Sequence, residues 1–168
     1  VIVIGAGLSG VGTAVRLQRD CPDRDFILLE RREAIGGTWD LFRYPGIRSD
    51  SDMHTLGYDF KPWEAEKTIA DGPSILSYVN ETADEYRIRE RIRFSQKLIA
   101  ADWSSERSQW QLTVETPDGI RRYRCGFLMM CAGYYSYDQG YEPEFERKAS
   151  FSGEWVHPQF WPENLDHT

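Results

Sequence analysis

A glycine-rich turn near the amino terminus limits the possible folds of this chain more than any other feature. Glycine occupies positions 5, 7 and 10, in the spacing Gly-x-Gly-x-x-Gly. Residues 1–4 before the turn are typical of a buried strand, and residues 11–20 after it have helical periodicity. A second apolar strand over residues 26–29 completes a β-α-β unit. The pattern therefore predicts an α/β fold built on a parallel sheet.

The turn and the acid that ends the second strand form a nucleotide-binding pattern. Gly5 permits a tight turn, Gly7 lets the backbone approach a pyrophosphate, and Gly10 lets the helix pack against the strand. The amino end of the helix offers free N–H groups to phosphates. Glu30 can accept hydrogen bonds from a ribose hydroxyl and would repel a 2′-phosphate, which predicts FAD or NAD here and not NADP. A turn that binds no ligand is the disfavoured alternative.

The rest of the chain predicts a Rossmann-like fold with an insertion. Residues 31–72 lack periodicity but are rich in aromatics, which predicts an ordered, functional loop. Residues 73–88 have the spacing of a helix. Residues 127–132 predict a central parallel strand buried on both faces. The strands of a small antiparallel meander are expected near Phe94 and over residues 98–103, 110–116 and 120–125.

Composition narrows the class of protein and its partners. The 168 residues are 40% hydrophobic and 14% aromatic, which is enough for one globular domain. A net charge of -7 would repel phosphate backbones and disfavours nucleic acid as a partner. No apolar run approaches the ~20 residues of a transmembrane helix. Three scattered cysteines predict neither a disulfide framework nor a metal site, so a cytoplasmic location is the default.

Two longer motifs carry a resemblance to a known family. The first comprises Gly36-Gly37-Thr38-Trp39 and the run Arg43-Tyr44-Pro45-Gly46-Ile47-Arg48-Ser49-Asp50-Ser51-Asp52-Met53. The second is Phe151-x-Gly153-x-x-x-His157-x-x-x-Trp161-Pro162. Together they resemble the FAD domain of the class B flavoprotein monooxygenases, which comprise flavin-containing and Baeyer–Villiger enzymes. The second motif matches the Baeyer–Villiger fingerprint, and the first is most similar to the ethionamide-activating subgroup.

The resemblance implies roles for individual residues. Asp50 is expected beside the isoalloxazine, where it would position an arginine from a later segment and so serve catalysis. Leu98 is expected to contact adenine through its backbone, and Met53 to pack near the flavin ring. The expected FAD contacts are Gly5, Gly7, Ser9, Gly10, Glu30, Arg31, Gly37, Thr38, Trp39, Asp50, Met53, Leu98, Ala132 and Gly133.

Some of these residues have a purely structural alternative. Asp50 and Asp52 could instead cap a short helix that begins near Met53. Trp39 could belong to the core. His157 is expected to pin a linker by hydrogen bonding and not to act in catalysis.

The resemblance also implies the activity and the domain plan. The parent enzyme would use FAD, NADPH and oxygen to convert a ketone into an ester or lactone, or to oxidise sulfur or nitrogen. Residues 1–150 would be an incomplete FAD-binding domain, and residues 151–168 the fingerprint linker to an NADP-binding domain outside this chain. The chain alone is not expected to be active. The alternatives are an NAD-dependent dehydrogenase and a non-catalytic flavin-binding module.

Overall fold

The core of the fold is a four-stranded parallel sheet. The computed structural model describes residues 1–162, 164 and 165. The strands of the sheet are β1 (Ile2–Ile4), β2 (Ile27–Leu29), β3 (Ile92–Arg93) and β7 (Leu128–Met130). They have the order β3-β2-β1-β7, and all of them are parallel. The predicted Rossmann-like sheet is therefore confirmed.

Two helices cover one face of this sheet. Helix α1 (Leu8–Asp20) buries Val11, Ala14 and Val15, as its periodicity predicted. Helix α4 (Gly72–Glu85) begins one residue before the predicted start. Asp71 caps α4 by accepting a hydrogen bond from the Ser74 N–H at 2.9 Å. The sheet residues in the same buried cluster include Val3 and Leu28.

The antiparallel meander covers the opposite face. It consists of β4 (Lys97–Ser104), β5 (Gln109–Thr116) and β6 (Gly119–Cys125), in that order. Leu112 and Val114 of β5 are buried against Ile2, Ile4 and Leu29 of the parallel sheet. Successive residues of β1 point to opposite faces, so a three-residue strand serves both cores. The predicted meander insertion is confirmed.

The long aromatic loop is ordered and contains two short helices, of which the sequence analysis offered only the second, near Met53, as an alternative. These are α2 (Thr38–Leu41) and α3 (Met53–Leu56). The Tyr58 ring stacks on Phe60 with ring centroids 4.8 Å apart, and the Tyr58 hydroxyl donates to the Leu8 carbonyl at 2.6 Å. The loop is thus attached to the start of α1 by aromatic packing and a hydrogen bond.

Two strand predictions were wrong. The segment over residues 127–132 is not buried on both faces: β7 pairs only with β1 among the described residues, and Phe127 and Met130 are about 60% exposed. A strand with one neighbour leaves its outer edge and adjacent side chains open. The segment near Phe94 does not join the meander, because Ile92 and Arg93 pair with β2 of the parallel sheet instead.

The carboxyl-terminal segment has little regular structure. Its short 3-10 turns span Lys148–Ser150 and Pro158–Phe160. The predicted linker, residues 151–168, includes positions 163 and 166–168, which lie outside the described residues. Over the described part of the chain, no helix is long and apolar enough to cross a membrane.

Candidate cofactor-binding site

A cavity of ≈ 730 Å³ lies at the carboxyl ends of β1, β2 and β7. Ligands of open α/β sheets bind in this position, because the loops that follow the strands converge there. Its volume is typical of a small-molecule site. The predicted contact residues on its wall are Gly5, Gly7, Ser9, Glu30, Arg31, Gly37, Thr38, Trp39, Leu98, Ala132 and Gly133.

The first glycine turn, residues 5–10, is packed too closely for larger residues. Gly5 has a φ of +101°, and a Cβ there would lie 2.4 Å from the Cys131 carbonyl oxygen. A Cβ on Gly10 would lie 1.9 Å from the Gly5 carbonyl oxygen. Gly10 therefore stands behind the wall and lets α1 approach β1. Gly7 faces the cavity and has Gly37 as its nearest neighbour.

The amino end of α1 has the features of an anion-binding position. Gly7 is the N-cap and makes no side-chain capping bond, and the first turn of α1 contains no acidic residue. The first N–H groups of a helix have no acceptor within the helix. Together with the positive end of the helix dipole, they make a binding position for phosphate.

Glu30 braces the first glycine turn. Its side chain is buried, and its two oxygens accept hydrogen bonds from the Ala6 N–H at 2.7 Å and the Arg32 N–H at 2.8 Å. Each carboxylate oxygen has a second lone pair, so the group can still accept a ribose hydroxyl. Glu30 thus holds the turn in place while it lines the cavity.

A second glycine turn, residues 36–37, lies opposite the first. The Gly36 N–H donates to the Ala6 carbonyl at 3.1 Å, and Gly37 has a φ of +57°. Beneath this turn Asp40 is buried between the guanidinium groups of Arg32, at 2.7 Å, and Arg43, at 3.1 Å. The sequence analysis missed Asp40. Its only signal was an acid directly after Trp39 in a short apolar stretch.

Two residues that were expected to contact the flavin lie off the cavity wall. Met53 is fully buried in the core beneath α1 and α4, because its N–H is held by the Thr68 carbonyl at 2.8 Å and its side chain turns inward. Asp50 is exposed and does not line the cavity. The helix-capping alternative holds for Asp52, which accepts from the Thr55 N–H at 3.0 Å.

Tyrosines after Gly133 complete the wall, and the sequence analysis missed them. Tyr134, Tyr135 and Tyr137 all line the cavity. The guanidinium carbons of Arg31 and Arg32 lie 5.6 and 5.7 Å from the centre of the Tyr137 ring. Burial, aided by the charge of Glu30, raises the pKa of the Tyr137 phenol. The available signal was their position just beyond a parallel strand, where loops meet the ligand.

His157 has the contacts of a residue that pins the chain. Its Nδ1 accepts a hydrogen bond from the Gln159 N–H at 3.1 Å. Because Nδ1 accepts, Nε2 carries the proton and donates to the Tyr141 carbonyl at 3.1 Å. A Cβ on Gly140 would lie 2.2 Å from the imidazole, so the two segments are in close contact.

The other fingerprint residues lie outside the cavity wall. Phe151 is exposed and meets Trp155 edge-on at 6.3 Å, and a Cβ on Gly153 would lie 2.5 Å from the Phe151 ring. Trp161 is half-buried and Pro162 is exposed. A hydrogen bond joins this region to the wall, because the Gln159 side-chain amide donates to the Ser136 carbonyl at 2.7 Å. Trp39 lines the cavity and also packs against the core, so it occupies both of the positions considered for it, the cavity wall and the core.

The fold is that of a Rossmann-like domain, and comparison with known proteins agrees. Residues 3–65 match the family model described as an NAD(P)-binding Rossmann-like domain. The chain is 53% identical over 99% of its length to the FAD-containing monooxygenase EthA of Mycolicibacterium smegmatis, and covers 34% of that protein. It is 48% identical to the probable FAD-binding monooxygenase AlmA of an Acinetobacter species, over 100% of this chain and 34% of the relative.

Solved structures give the same result. A steroid monooxygenase bound to NADP is 30% identical, with a TM-score of 0.78, over 96% of this chain and 31% of that one. A cyclohexanone monooxygenase from Rhodococcus sp. Phi1 bound to NADP+ is 26% identical, also with a TM-score of 0.78, over 98% of this chain and 31% of that one. The chain is therefore similar over nearly its whole length to FAD-containing monooxygenases and to solved monooxygenase structures. It spans about a third of the length of the curated relatives it matches.

Proposed function

We propose that this chain forms the FAD-binding part of an NADPH- and oxygen-dependent monooxygenase. The observation that carries the proposal is the pairing of the open amino end of α1 with the buried carboxylate of Glu30 across one cavity. This arrangement suits a dinucleotide whose ribose has a free 2′-hydroxyl. The relatives named as FAD-containing monooxygenases support FAD as that dinucleotide.

The residues of the cavity fit such a cofactor. Side chains are absent where a pyrophosphate would approach the backbone at Gly7, and Glu30 has acceptor positions left for a ribose. Trp39 and Leu56 contribute apolar side chains to the cavity wall. Bound FAD would supply the redox chemistry that couples NADPH oxidation to oxygen transfer.

The chain's own residues then have three tasks. The first turn of α1 binds the diphosphate, Glu30 orients the ribose, and the aromatic wall excludes water from the flavin end. Asp50 is exposed, and we propose that its carboxylate holds a guanidinium from another segment. We propose that the substrate is a small ketone or a compound with an oxidisable sulfur or nitrogen.

Cytoplasmic location is the remaining part of the proposal. It is supported by three free thiols, Cys21, Cys125 and Cys131, which suit a reducing compartment. The net charge of -7 supports a protein that does not bind nucleic acid.

The test is to express the complete reading frame that contains this chain. We expect the purified protein to be yellow and to release FAD on denaturation. We then expect NADPH-dependent oxygen uptake that a ketone or sulfide stimulates. A protein that stays colourless after incubation with FAD but binds NAD would contradict the proposal and support a dehydrogenase. Bound FAD without any oxygen uptake would support a non-catalytic flavin-binding module.

A further inference from the structure

Asp40 is a buried carboxylate in a place where burial is costly. Its side chain is only 9% exposed, and Asp40 lies in the first turn of the short helix α2. A buried charge requires a counter-charge. Arg32 and Arg43 provide two, and the Arg43 Nε also donates to the Asp40 carbonyl at 3.2 Å.

The Arg32 contact is held by charge more than by hydrogen-bond geometry. Asp40 Oδ2 lies 2.7 Å from Arg32 Nη2, yet this oxygen receives no well-aligned hydrogen bond from the described residues. Arg32 also reaches the Gly37 carbonyl at 3.5 Å. The guanidinium group is therefore placed by Asp40 next to the backbone of the second glycine turn.

Asp40 also packs directly under that turn. A Cβ on Gly36 would lie 3.0 Å from the Asp40 Cβ, and the Asp40 N–H donates to the Gly37 carbonyl at 3.2 Å. On its other side the turn meets the first glycine turn, because a Cβ on Gly37 would lie 3.1 Å from the Gly7 Cα. Any shift of Asp40 is thus transmitted to the gap between the two turns.

We propose that Asp40 is a positioning residue for FAD: it neutralises Arg32 and supports the second glycine turn, and so sets the spacing between that turn and Gly7. Asp40 does not line the cavity, so it acts through residues 36–39, which do. The inference rests on the proposed function. It adds a residue that acts on cofactor affinity without touching the cofactor.

The test uses the complete protein, stripped of flavin, with FAD binding followed by flavin fluorescence. We expect Asp40→Asn to raise the Kd for FAD about tenfold, since the shape is kept and only the charge that fixes Arg32 is lost. Asp71→Asn is the matched control. Asp71 is an aspartate that caps α4 away from this cavity, and asparagine can still accept the capping hydrogen bond, so this change leaves the Kd unchanged.

A second variant separates positioning from general destabilisation. If Asp40 acts through Arg32, the double variant Asp40→Asn with Arg32→Gln binds FAD no more weakly than Asp40→Asn alone. Additive losses would overturn the coupling. Where Asp40→Asn fails to fold, Arg32→Gln alone is expected to weaken FAD binding, and unchanged affinity would overturn the proposal.

The outcomes for this inference and for the proposed function are distinct. If Asp40→Asn and wild type have the same Kd for FAD, the proposed role of Asp40 is overturned, but the proposed function is not. Wild-type protein that binds no FAD would overturn the proposed function itself. A changed shape of the visible absorption band of bound flavin in Asp40→Asn is expected, and would not arise from a stability defect remote from the site.

Discussion

The two glycine turns of this protein line the same cavity but are held in different ways. The first turn, residues 5–10, is held by close main-chain packing at Gly5 and Gly10 and by a hydrogen bond from the Ala6 N–H to the Glu30 side chain. The second, residues 36–37, has main-chain hydrogen bonds as well, but it also depends on the ion pair of Asp40 with Arg32. Close main-chain packing leaves no space for a side chain at Gly10, whereas an ion pair can be weakened without a steric clash.

The largest effect is expected from Gly10→Ala. The added Cβ would overlap the Gly5 carbonyl oxygen at 1.9 Å, and the main chain cannot yield without separating α1 from β1. We expect a loss of about 3 kcal/mol or more in the free energy of unfolding. Chemical denaturation of the complete protein measures it, and flavin content gives a second readout.

Gly126→Ala is the control for this prediction. A Cβ at Gly126 meets nothing within 4 Å, so the change should stay within about 0.5 kcal/mol. Equal stability of the two variants would show that the first glycine turn is not closely packed.

A smaller effect is expected from Gly37→Ala in the second turn. Gly37 has a φ of +57°, and a Cβ would press on the Gly7 Cα at 3.1 Å. We expect a cost of about 1–3 kcal/mol from backbone strain, together with weaker FAD binding. Gly46→Ala is the control, since Gly46 has a φ of +78° but open space around it. If both variants weaken FAD binding equally, contact between the two turns has no role.

The smallest effect is expected from Tyr137→Phe, and it concerns pH. The pKa of Tyr137 is raised above its ordinary value of 10.0 by burial and by Glu30. Because the folded state favours the neutral phenol, this stabilisation is complete below pH 10 and is lost as the pH rises through the raised pKa. The free energy of unfolding of the variant should therefore fall less than that of wild type between about pH 9 and about pH 11. These two pH values lie roughly one unit below and one unit above the ordinary pKa of tyrosine.

Thermal denaturation across this pH range provides the measurement. Tyr141→Phe, which alters an exposed ring, is the matched control and should follow wild type. A Tyr137→Phe variant with the alkaline slope of wild type would contradict the burial of the phenol against Glu30.

Local pattern was sufficient for part of the site. The helical face of α1 and the last two strands of the meander were predicted because their signals lie within a few residues. Glu30 was identified by its position at the end of the second strand. By contrast, the buried position of Met53 and the exposed edge at β7 depend on what packs against them, which no local pattern records.

Sequence alone determined the nucleotide-binding unit of this protein, because glycine conformation and strand-helix periodicity are local properties. Only the tertiary structure brought Tyr137 against Arg31 and Arg32, about a hundred residues earlier in the chain, and buried Asp40 between two arginines. Those contacts result from the convergence of loops at the carboxyl ends of parallel strands. Their energy depends on burial and on distances between charges, which only the folded chain defines.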